Sequence, residues 1–420
     1  MDKITVIKGF KDILPEDTPR WCRVESIARQ IFGSFGFREI RVPIMEKTEL
    51  FKRSIGETTD IVEKEMYTFA DRDEEFLTLR PEATASVIRA YIEHNMMSAE
   101  PVTRLFTMGP MFRRERPQKG RFRQFHQIDI ELFGDDKPQS DVEVILMLVN
   151  FLESAGLIQM SLEINSLGCK ACRPAFSQAV VNYLKGSEEK LCSDCRRRIN
   201  TNPLRVFDCK VESCGSIIAL APRILDYLCT DCDEHFAEVK SCLNDLNIQY
   251  TINPIMVRGL DYYVRTAFEV KSGSLGAQNS LAGGGRYDGL VSSLGGPEVA
   301  GIGFGVGIER LLAALPDTEK SNYKTDLFIA ALGSRAQKIG FMLACQLRRA
   351  GIAAAMDYSD KSLKSQMKRA DKLNSSYTLI FGDKEIDEKR LELRNMHTKS
   401  QQVLSLENLQ ETIINILTER

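Results

Sequence analysis

Apolar residues change their spacing several times along the N-terminal part of the chain, and each change predicts a new element. Helical spacing predicts helices over residues 19–35, 82–94 and 140–155. Short apolar runs predict strands at Arg38–Val42, Met66–Phe69, Phe76–Arg80 and Ser161–Asn165. Pro43 ends the first of these strands and marks a sheet edge, since proline cannot donate a ladder hydrogen bond. This edge suits either a subunit contact or a plain end of pairing.

A basic hairpin is predicted between residues 103–114 and 122–132. Its loop carries Arg113, Arg114, Arg116, Lys119, Arg121 and Arg123 against a single acid, Glu115. On the returning strand Gln127, Asp129 and Glu131 share one face, because side chains alternate along a strand. Gln127 and Glu131 would lie about 13 Å apart, far enough to bracket a small polar molecule. The alternative is an exposed hairpin with a solvated, charged tip.

Glu82 and Thr84 lie where a predicted strand, ended by Pro81, meets a predicted helix. Backbone N–H groups and side chains converge on a pocket at such a junction. Glu82 could instead serve only as a favourable charge at the helix N-terminus.

Residues 168–252 differ from their surroundings by a cluster of cysteines. Cys169 and Cys172, Cys192 and Cys195, and Cys229 and Cys232 form CxxC pairs, and Cys209 pairs with Cys214 at a wider spacing. Four pairs could build two closed zinc sites, and the alternative is a helical insert with reduced cysteines and no metal. Because of the wider pair, zinc is possible here but no metal ligand is assigned. The pattern suggests no catalytic role for these cysteines.

Three later stretches point to a ligand cleft. Arg258 precedes a glycine and the adjacent tyrosines Tyr262 and Tyr263, which would face opposite ways on a strand. A glycine-rich run with Tyr287 follows at 282–288. Glycines at every second position of 301–307 would leave one strand face bare, so that a flat ring could lie on the backbone with Arg310 above it. Neither glycine run fits the dinucleotide-binding or P-loop motif.

The C-terminal hundred residues show strand–helix alternation after a polar linker at 315–325. This pattern predicts a small α/β domain with a mixed sheet. We therefore divide the chain into a domain at 1–322, with the insert at 168–252, and a domain at 323–420.

Composition and charge exclude several classes of protein. The chain has 420 residues, 43% hydrophobic and 27% charged, with a formal net charge of −2, so a polyanion could bind only at local basic patches. No segment has the pattern of a signal peptide or a membrane span. A cytoplasmic location is expected, in which the eleven cysteines would be thiols or metal ligands.

Taken together, these stretches resemble the histidine–tRNA ligases, which are class II aminoacyl-tRNA synthetases. The resemblance spans essentially the whole chain and is most specific in RGLDYY at 258–263 and FRQFHQ at 122–127. GFKDILP, LRPEATA, AGGGRYDGL and GFGVGIERL also match family features, although Ala83 stands where the family more often has glycine. The resemblance implies an α+β fold: a catalytic core with an antiparallel sheet flanked by helices and carrying a helical insert, plus an anticodon-binding domain.

The resemblance also implies roles for individual residues. Arg258 and Arg113 would stabilise charge at the reacting centre, and Arg116 and Gln118 would contact the tRNA acceptor end. ATP would be held by Arg113, Arg310 and Tyr287. Histidine would be bound by Glu82, Ala83, Thr84, Gln127, Glu131, Tyr262 and Tyr263.

The implied activity is ATP-dependent ligation of L-histidine to tRNA(His) through a histidyl-adenylate, with Mg²⁺ accompanying ATP. A homodimer, with Pro43 near the subunit contact, and no membrane partner are expected. The alternative is a non-catalytic, histidine-sensing regulatory paralogue of the kind that partners ATP phosphoribosyltransferase. That paralogue usually lacks the C-terminal domain and the arginines retained here.

Overall fold

The chain forms two units, Met1–Thr318 and Glu319–Arg420. A computed structural model describes residues 3–57, 59–115, 120–275, 279–316 and 324–418. Most of the predicted linker, residues 317–323, lies outside the described residues. None of the described helices is long and apolar enough to cross a membrane.

The strands and helices of the first unit fall close to the predicted positions. The strands are β1 (Arg38–Glu39), β2 (Met45–Lys47), β3 (Tyr67–Ala70), β4 (Phe76–Leu79), β5 (Thr103–Phe112), β6 (Gln124–Phe133), β7 (Ser161–Ser166), β8 (Thr251–Ile252), β9 (Val264–Lys271), β10 (Ser280–Arg286) and β11 (Gly301–Gly307). The helices are α1 (Thr18–Ser34), α2 (Thr48–Ile55), α3 (Thr84–Glu93), α4 (Met96–Ala99), α5 (Pro138–Ser154), α6 (Arg173–Lys185), α7 (Ser193–Thr201), α8 (Glu212–Ile218), α9 (Thr230–Asp245), α10 (Leu290–Ser293) and α11 (Ile308–Ala314).

Within the described residues, eight strands form the main sheet in the order β1-β5-β6-β11-β10-β9-β7-β8. The β1–β5 and β7–β8 pairs are parallel and short, and the other pairs are antiparallel. Strands β2, β4 and β3 form a separate small sheet. The predicted class II core with its antiparallel sheet is confirmed, with parallel pairing confined to the two edges.

One face of the main sheet is covered by helices. Ile128, Ile130 and Leu132 of β6 are fully buried against apolar side chains of α1 and α5. Their neighbours Asp129 and Glu131 must therefore point to the opposite face, because side chains alternate along the strand. The hydrophobic effect on one face thus fixes the position of the polar row on the other.

The insert is helical, as predicted. Helices α6, α7 and α8 and the 3₁₀ turns Pro203–Asp208 and Ile224–Tyr227 share a small apolar core of their own. Helix α9 differs from them, because its Phe236, Val239 and Leu243 lie in the core of the main sheet.

The second unit has a mixed sheet, which confirms the prediction. Its strands are β12 (Leu327–Leu332), β13 (Ala354–Met356), β14 (Tyr377–Gly382), β15 (Arg390–Asn395) and β16 (Gln401–Ser405). Its helices are α12 (Ser334–Arg349), α13 (Leu363–Lys372), α14 (Asp383–Asp387) and α15 (Leu409–Thr418). Among the described strands the order is β13-β12-β14-β15-β16, with β12 parallel to β13 and β14 and the remaining pairs antiparallel.

Two local predictions were wrong. The strand expected at Arg38–Val42 pairs only over Arg38–Glu39. Tyr262 and Tyr263 lie in a turn before β9, so strand alternation does not separate them. Their ring centroids lie 4.7 Å apart.

Candidate functional site

The polar face of β6 belongs to a buried, mostly acidic group of side chains, which we call the pocket. Asp129 and Glu131 are 5% and 2% exposed, and Gln127 at the end of the row is half-buried. The Tyr287 hydroxyl donates a hydrogen bond to Glu131 Oε2. Tyr287 is itself buried, so this end of the pocket is closed by protein.

The glycines of β11 make room for this row. Gly303 pairs with Glu131, and Gly305 pairs with Asp129. A Cβ on Gly303 would lie 2.3 Å from Glu131 Oε2, and one on Gly305 would lie 2.5 Å from Asp129 Oδ1. A Cβ on Gly301 would likewise meet the Tyr287 ring at 2.3 Å. The expectation that a flat ring lies on this bare strand face is therefore wrong at Gly301 and Gly303, where protein side chains take the space, whereas Gly305 and Gly307 line an open cleft.

Glu82 caps the helix that borders the pocket. Its Oε2 accepts from the Thr84 N–H at 2.8 Å and its Oε1 from the Ala85 N–H at 2.9 Å. Both carboxylate oxygens thus bind the first turn of α3, beside the buried Ala83. Glu82 therefore does place a favourable charge at the helix N-terminus, which was the alternative considered for it. The same hydrogen bonds fix its carboxylate at the pocket.

Three buried carboxyl groups therefore share one site, and burial raises the pKa of each. Burial and repulsion from Glu82 raise the pKa of Asp129 to about 8, although Arg80 and Arg113 oppose the change. The pKa of Glu131 lies well above its ordinary value because burial outweighs hydrogen bonds from Thr84 and Tyr287. Burial also raises the pKa of Glu82 against its hydrogen bonds from Ala85 and Thr84. A cationic, hydrogen-bonding ligand would relieve this accumulation of acids.

The turn at 258–263 brings an arginine and two aromatic rings to the same pocket. The Arg258 guanidinium lies 5.7 Å from the Tyr263 ring centroid and donates to Glu269 Oε1 at 3.3 Å. It covers Gly283, where a Cβ would lie 2.3 Å from Arg258 Nη2. The Tyr262 ring also meets the Tyr287 ring edge-on at 5.8 Å. These contacts join Arg258 and all three tyrosines at one end of the sheet.

Beside the pocket lies an open cleft of about 200 Å³ that is rich in arginine. Arg113 donates from Nε to the Pro81 carbonyl at 2.7 Å and lies 5.3 Å from the Phe125 ring centroid. Arg310 donates from Nε to the Ser280 carbonyl at 2.7 Å. The remaining cleft lining includes Gln127, Arg258, Gly283, Gly305 and Gly307. Gln127 and Arg258 thus lie between the acidic pocket and the cationic cleft.

Several buried polar atoms at this boundary find no hydrogen-bond partner among the described residues. They are Gln127 Oε1, Asp129 Oδ2 and Arg258 Nε. A buried acceptor or donor without a partner is costly, and a bound polar ligand would satisfy it. The residues present therefore fit a ligand with a positive end in the pocket and a phosphate in the cleft.

The structure does not bring every predicted site residue together. Arg116 and Gln118 lie outside the described residues. Tyr287 contacts Glu131 and is not part of the described cleft lining with Arg113 and Arg310, and its contact with ATP stays a prediction. No role was predicted for Asp129, although the alternation of side chains along the strand already placed it on the same face as Gln127 and Glu131. Buried Arg80 was given no role either, although it lies in the LRPEATA stretch.

Two groups of cysteines in the insert could hold metal ions. They are Cys169, Cys172, Cys229 and Cys232, and Cys192, Cys195, Cys209 and Cys214. Among the described residues, no other group of three or more potential ligands has this proximity.

Comparison with known proteins connects this geometry to a family. A family model described as histidyl-tRNA synthetase matches residues 9–179 and 218–311, and one described as an anticodon binding domain matches residues 326–416. The chain is 54% identical over 419 residues to the histidine–tRNA ligase of Desulfosudis oleivorans, covering 99% of both chains. It is 55% identical over 383 residues to that of Geobacter sulfurreducens, covering 91% of this chain and 92% of the relative.

A solved structure agrees with these sequence relatives. The apo S. aureus histidyl-tRNA synthetase superposes with a TM-score of 0.81 at 37% identity, covering 98% of this chain and 100% of that one. The fold and the sequence therefore indicate the same family.

Proposed function

Since this chain belongs to the histidyl-tRNA synthetase family, we propose that it ligates L-histidine to tRNA(His) in an ATP-dependent reaction. The observation that carries the proposal is the group of buried acids beside an arginine-rich cleft, which Gln127 and Arg258 also line. The reaction proceeds through a histidyl-adenylate and releases diphosphate and then AMP. Members of this family work in the cytoplasm, and we propose the same location.

Histidine binds with its charged amino group among acids and its ring at the closed end. Glu82, Asp129 and the Gln127 side-chain oxygen offer acceptors to the ammonium group, with Thr84 beside them. Glu131, held by Tyr287, accepts from an imidazole N–H. Tyr262 and Tyr263 supply the aromatic wall, and Ala83, buried directly before α3, borders the site. We assign Tyr287 to the histidine end of the site instead of to ATP.

The cationic cleft binds ATP beside the histidine carboxylate. One carboxylate oxygen attacks the α-phosphorus, a new C(O)–O–P link forms, and the bond to diphosphate breaks. Arg113 and Arg258 stabilise the negative charge that develops on the α-phosphate, and Arg310 holds the rest of the triphosphate. Mg²⁺ arrives with ATP and offsets phosphate charge. A terminal ribose hydroxyl of tRNA then attacks the acyl carbon and displaces AMP.

Contacts to tRNA would be divided between the two units. The hairpin loop with Arg116 and Gln118 would meet the acceptor end, which the basic character of this loop supports. The second unit, which matches the anticodon binding domain, would read the anticodon.

Histidine-dependent exchange between diphosphate and ATP tests this function. Purified protein with Mg²⁺ should catalyse exchange with histidine and not with the other amino acids. An absence of exchange would favour the regulatory alternative, which binds histidine without activating it. Relatives at 54–55% identity are named as ligases, so this alternative is not favoured.

We also propose that the chain forms a homodimer through the region around Pro43. Ile44 and Met45 are 45% and 44% exposed, and Phe69 and Phe76 of the small sheet are 44% and 63% exposed. Clustered exposed apolar side chains are typical of a protein interface. Sedimentation should give twice the chain mass, and Phe76→Glu should shift the population towards monomer. Exposed Leu220→Glu in the insert is the matched control and should remain dimeric.

A further inference from the structure

Eight of the eleven cysteines come together in two sets, as described above. We call Cys169, Cys172, Cys229 and Cys232 the first set, and Cys192, Cys195, Cys209 and Cys214 the second set. Within each set all four sulfurs lie within 4.8 Å of one another. Two members of each set are buried and two are half-buried. Such convergence is the arrangement of a closed four-cysteine metal site.

The sulfur–sulfur distances match one metal ion per set. Tetrahedral zinc with Zn–S bonds of about 2.3 Å places its ligands about 3.8 Å apart. Cys169 Sγ lies 3.7 Å from Cys172 Sγ and 3.8 Å from Cys229 Sγ, and Cys192 Sγ lies 3.8 Å from Cys209 Sγ. A disulfide needs about 2.05 Å, and all of these cysteines are unbonded.

Backbone N–H groups point at the sulfurs in both sets. In the first set Cys169 Sγ accepts from the Ala171 N–H at 3.3 Å, and Cys172 Sγ accepts from the Cys229 N–H at 3.1 Å. In the second set Cys214 Sγ accepts from the Cys192 N–H at 3.2 Å. Such outer hydrogen bonds stabilise negative charge on ligating sulfurs and fix their direction.

The wider spacing of Cys209 and Cys214 does not prevent ligation. Helix α8 begins at Glu212, and its first turn carries Cys214 back to the set. The Val211 N–H donates to Cys209 Sγ at 3.5 Å across the turn between them. The extra two residues of this pair therefore form the turn before the helix.

We propose that each set binds one zinc ion and that the two ions fasten the insert to the 258–263 segment of the candidate site. Four thiolate ligands in a tetrahedral arrangement are typical of zinc and of iron–sulfur sites, and the metal analysis below separates the two. The histidyl-tRNA synthetase model leaves residues 180–217 unmatched, so the second set lies in a stretch that the family description does not cover.

The two sets hold different parts of the insert. The first set joins the start of the insert to the beginning of α9, because Cys169 and Cys229 are 60 residues apart in the chain. The second set lies inside this loop and joins α7 to α8. The insert's own core is small, and metal binding supplies folding free energy that such a core lacks.

Both sets connect directly to the segment that carries Arg258 and the tyrosines. Arg173, next to Cys172, donates to the Tyr263 carbonyl. Arg205, in the turn that leads to Cys209, donates to the Gly259 carbonyl at 2.6 Å and to Asp261 Oδ1 at 3.1 Å. A loss of either ion would therefore free one of the arginines that hold this segment in place.

Metal analysis of the full chain, purified without chelators, tests the binding. The wild type should contain two equivalents of zinc, and Cys195→Ser and Cys172→Ser should each contain one. Cys242→Ser is the matched control, because Cys242 lies on α9 with Cys232 but outside both sets, and it should keep two equivalents. Fewer than two equivalents of zinc in the wild type, or iron in its place, would overturn the proposal.

Thiol labelling of the wild type gives a second readout that does not depend on the variants folding. The native zinc protein should react through Cys22, Cys242 and Cys345, and all eleven thiols should react after unfolding with a chelator. Rapid labelling of eleven thiols in the native protein would contradict two closed sites.

Hydrogen exchange tests the connection to the 258–263 segment. Removal of zinc with a mercurial followed by a chelator should speed amide exchange in peptides that cover 258–263 at least tenfold, while peptides of β12 and β14 stay unchanged. Unchanged exchange at 258–263 after loss of both ions would refute the fastening role. None of these measurements requires catalysis. A failure of the zinc proposal can therefore be distinguished from a failure of the proposed ligase function.

Discussion

At the scale of single residues, the pocket concentrates acids where a protein ordinarily avoids them. Glu82, Asp129 and Glu131 are each at most 5% exposed. Because burial raises the pKa of each, folding favours the protonated form of these acids relative to the unfolded chain. The site therefore lowers the stability of the free protein, and a bound ammonium group would offset the cost.

Asp129→Asn should separate the stability cost from the binding role. The folded pKa of about 8 lies above the ordinary 3.8, so Asp129 costs nothing below about pH 4 and increasingly more towards pH 8. The variant should be more stable than the wild type by about 1–3 kcal/mol at pH 8 and equal to it near pH 4. Its affinity for histidine should fall about tenfold or more through loss of a charged partner.

Chemical denaturation at several pH values and calorimetric titration with histidine measure these effects. Asp136→Asn, at an exposed carboxyl group, is the control and should change neither quantity. Equal stability of Asp129→Asn and the wild type at pH 8 would show that the buried Asp129 carboxylate does not destabilise the folded protein.

Glu131→Gln should weaken histidine activation and leave ATP binding largely intact. The amide can still contact Tyr287, but its NH₂ group offers donors where an imidazole N–H needs an acceptor. kcat/KM for histidine should fall about 10²-fold or more, with the KM for ATP within about threefold. Exchange kinetics measure both, with exposed Glu153→Gln as the control. An unchanged histidine dependence would remove Glu131 from the site.

Strand alternation predicted part of this residue-scale arrangement. It placed Gln127, Asp129 and Glu131 on one face, and the structure has them there. It could not show that Asp129 is buried among Glu82, Arg80 and Arg113, since those side chains come from other elements. Long-range contacts of this kind leave no local pattern in the chain.

At the scale of elements, β11 positions the acids of β6 by having no side chains of its own on that face. Gly303→Ala tests this, because the new Cβ would meet both the Glu131 carboxylate and the Ile130 carbonyl at 2.3 Å. We expect a loss of about 1–3 kcal/mol in the free energy of unfolding and at least a tenfold rise in the KM for histidine. Thermal denaturation and exchange kinetics measure the two effects.

Gly33→Ala is the matched control for this variant. It lies in α1 with nothing within 4 Å of the new methyl group, so it should stabilise the protein by about 0.5–1 kcal/mol and leave histidine activation unchanged. If Gly303→Ala were as stable as this control and kept its KM for histidine, β6 and β11 would be able to move apart without a loss in the free energy of unfolding.

The elements themselves were mostly predictable because their periodicity is strong. The apolar spacing placed α1, α5 and the β5–β6 hairpin within a few residues of their bounds. The strand predicted at Arg38–Val42 was too long because its ladder with β5 covers only Arg38 and Glu39, with one further hydrogen bond from the Ile40 N–H to the Phe106 carbonyl at 2.8 Å. The prediction that Tyr262 and Tyr263 face opposite ways was wrong because a turn at 259–262 replaces the expected strand. The glycines of β11 were recognised, but which side chains fill the space above them depends on β6 and Tyr287.

At the scale of the whole molecule, the two units carry separate cores, so the proposed adenylate site and the proposed anticodon contacts can be tested separately. A chain that ends at Thr318 keeps every residue proposed to bind histidine and ATP. It should retain histidine-dependent exchange within about threefold of the full chain. Its kcat/KM for tRNA(His) should fall at least 10²-fold, because the anticodon contacts are lost.

Exchange and aminoacylation assays on the same preparation distinguish these outcomes. The control for nonspecific electrostatic effects is the full chain carrying Lys368→Ala, a single change in α13 of the second unit. Its kcat/KM for tRNA(His) should fall much less than that of the truncated chain. A truncated chain that charges tRNA as well as the full chain would remove the second unit from tRNA recognition.

The closed end of the pocket also decides how an inhibitor could be built. Glu131 and Tyr287 are bonded to each other and 2% and 1% exposed, and the paired Gly303 leaves no room behind them. A compound that adds a substituent to the imidazole ring would have to break this contact before it could bind. The cleft with Arg113 and Arg310 is open, so a scaffold can be extended there with anionic or phosphate-mimicking groups. Chemical elaboration of a histidine analogue therefore has one productive direction, outward from its carboxyl end.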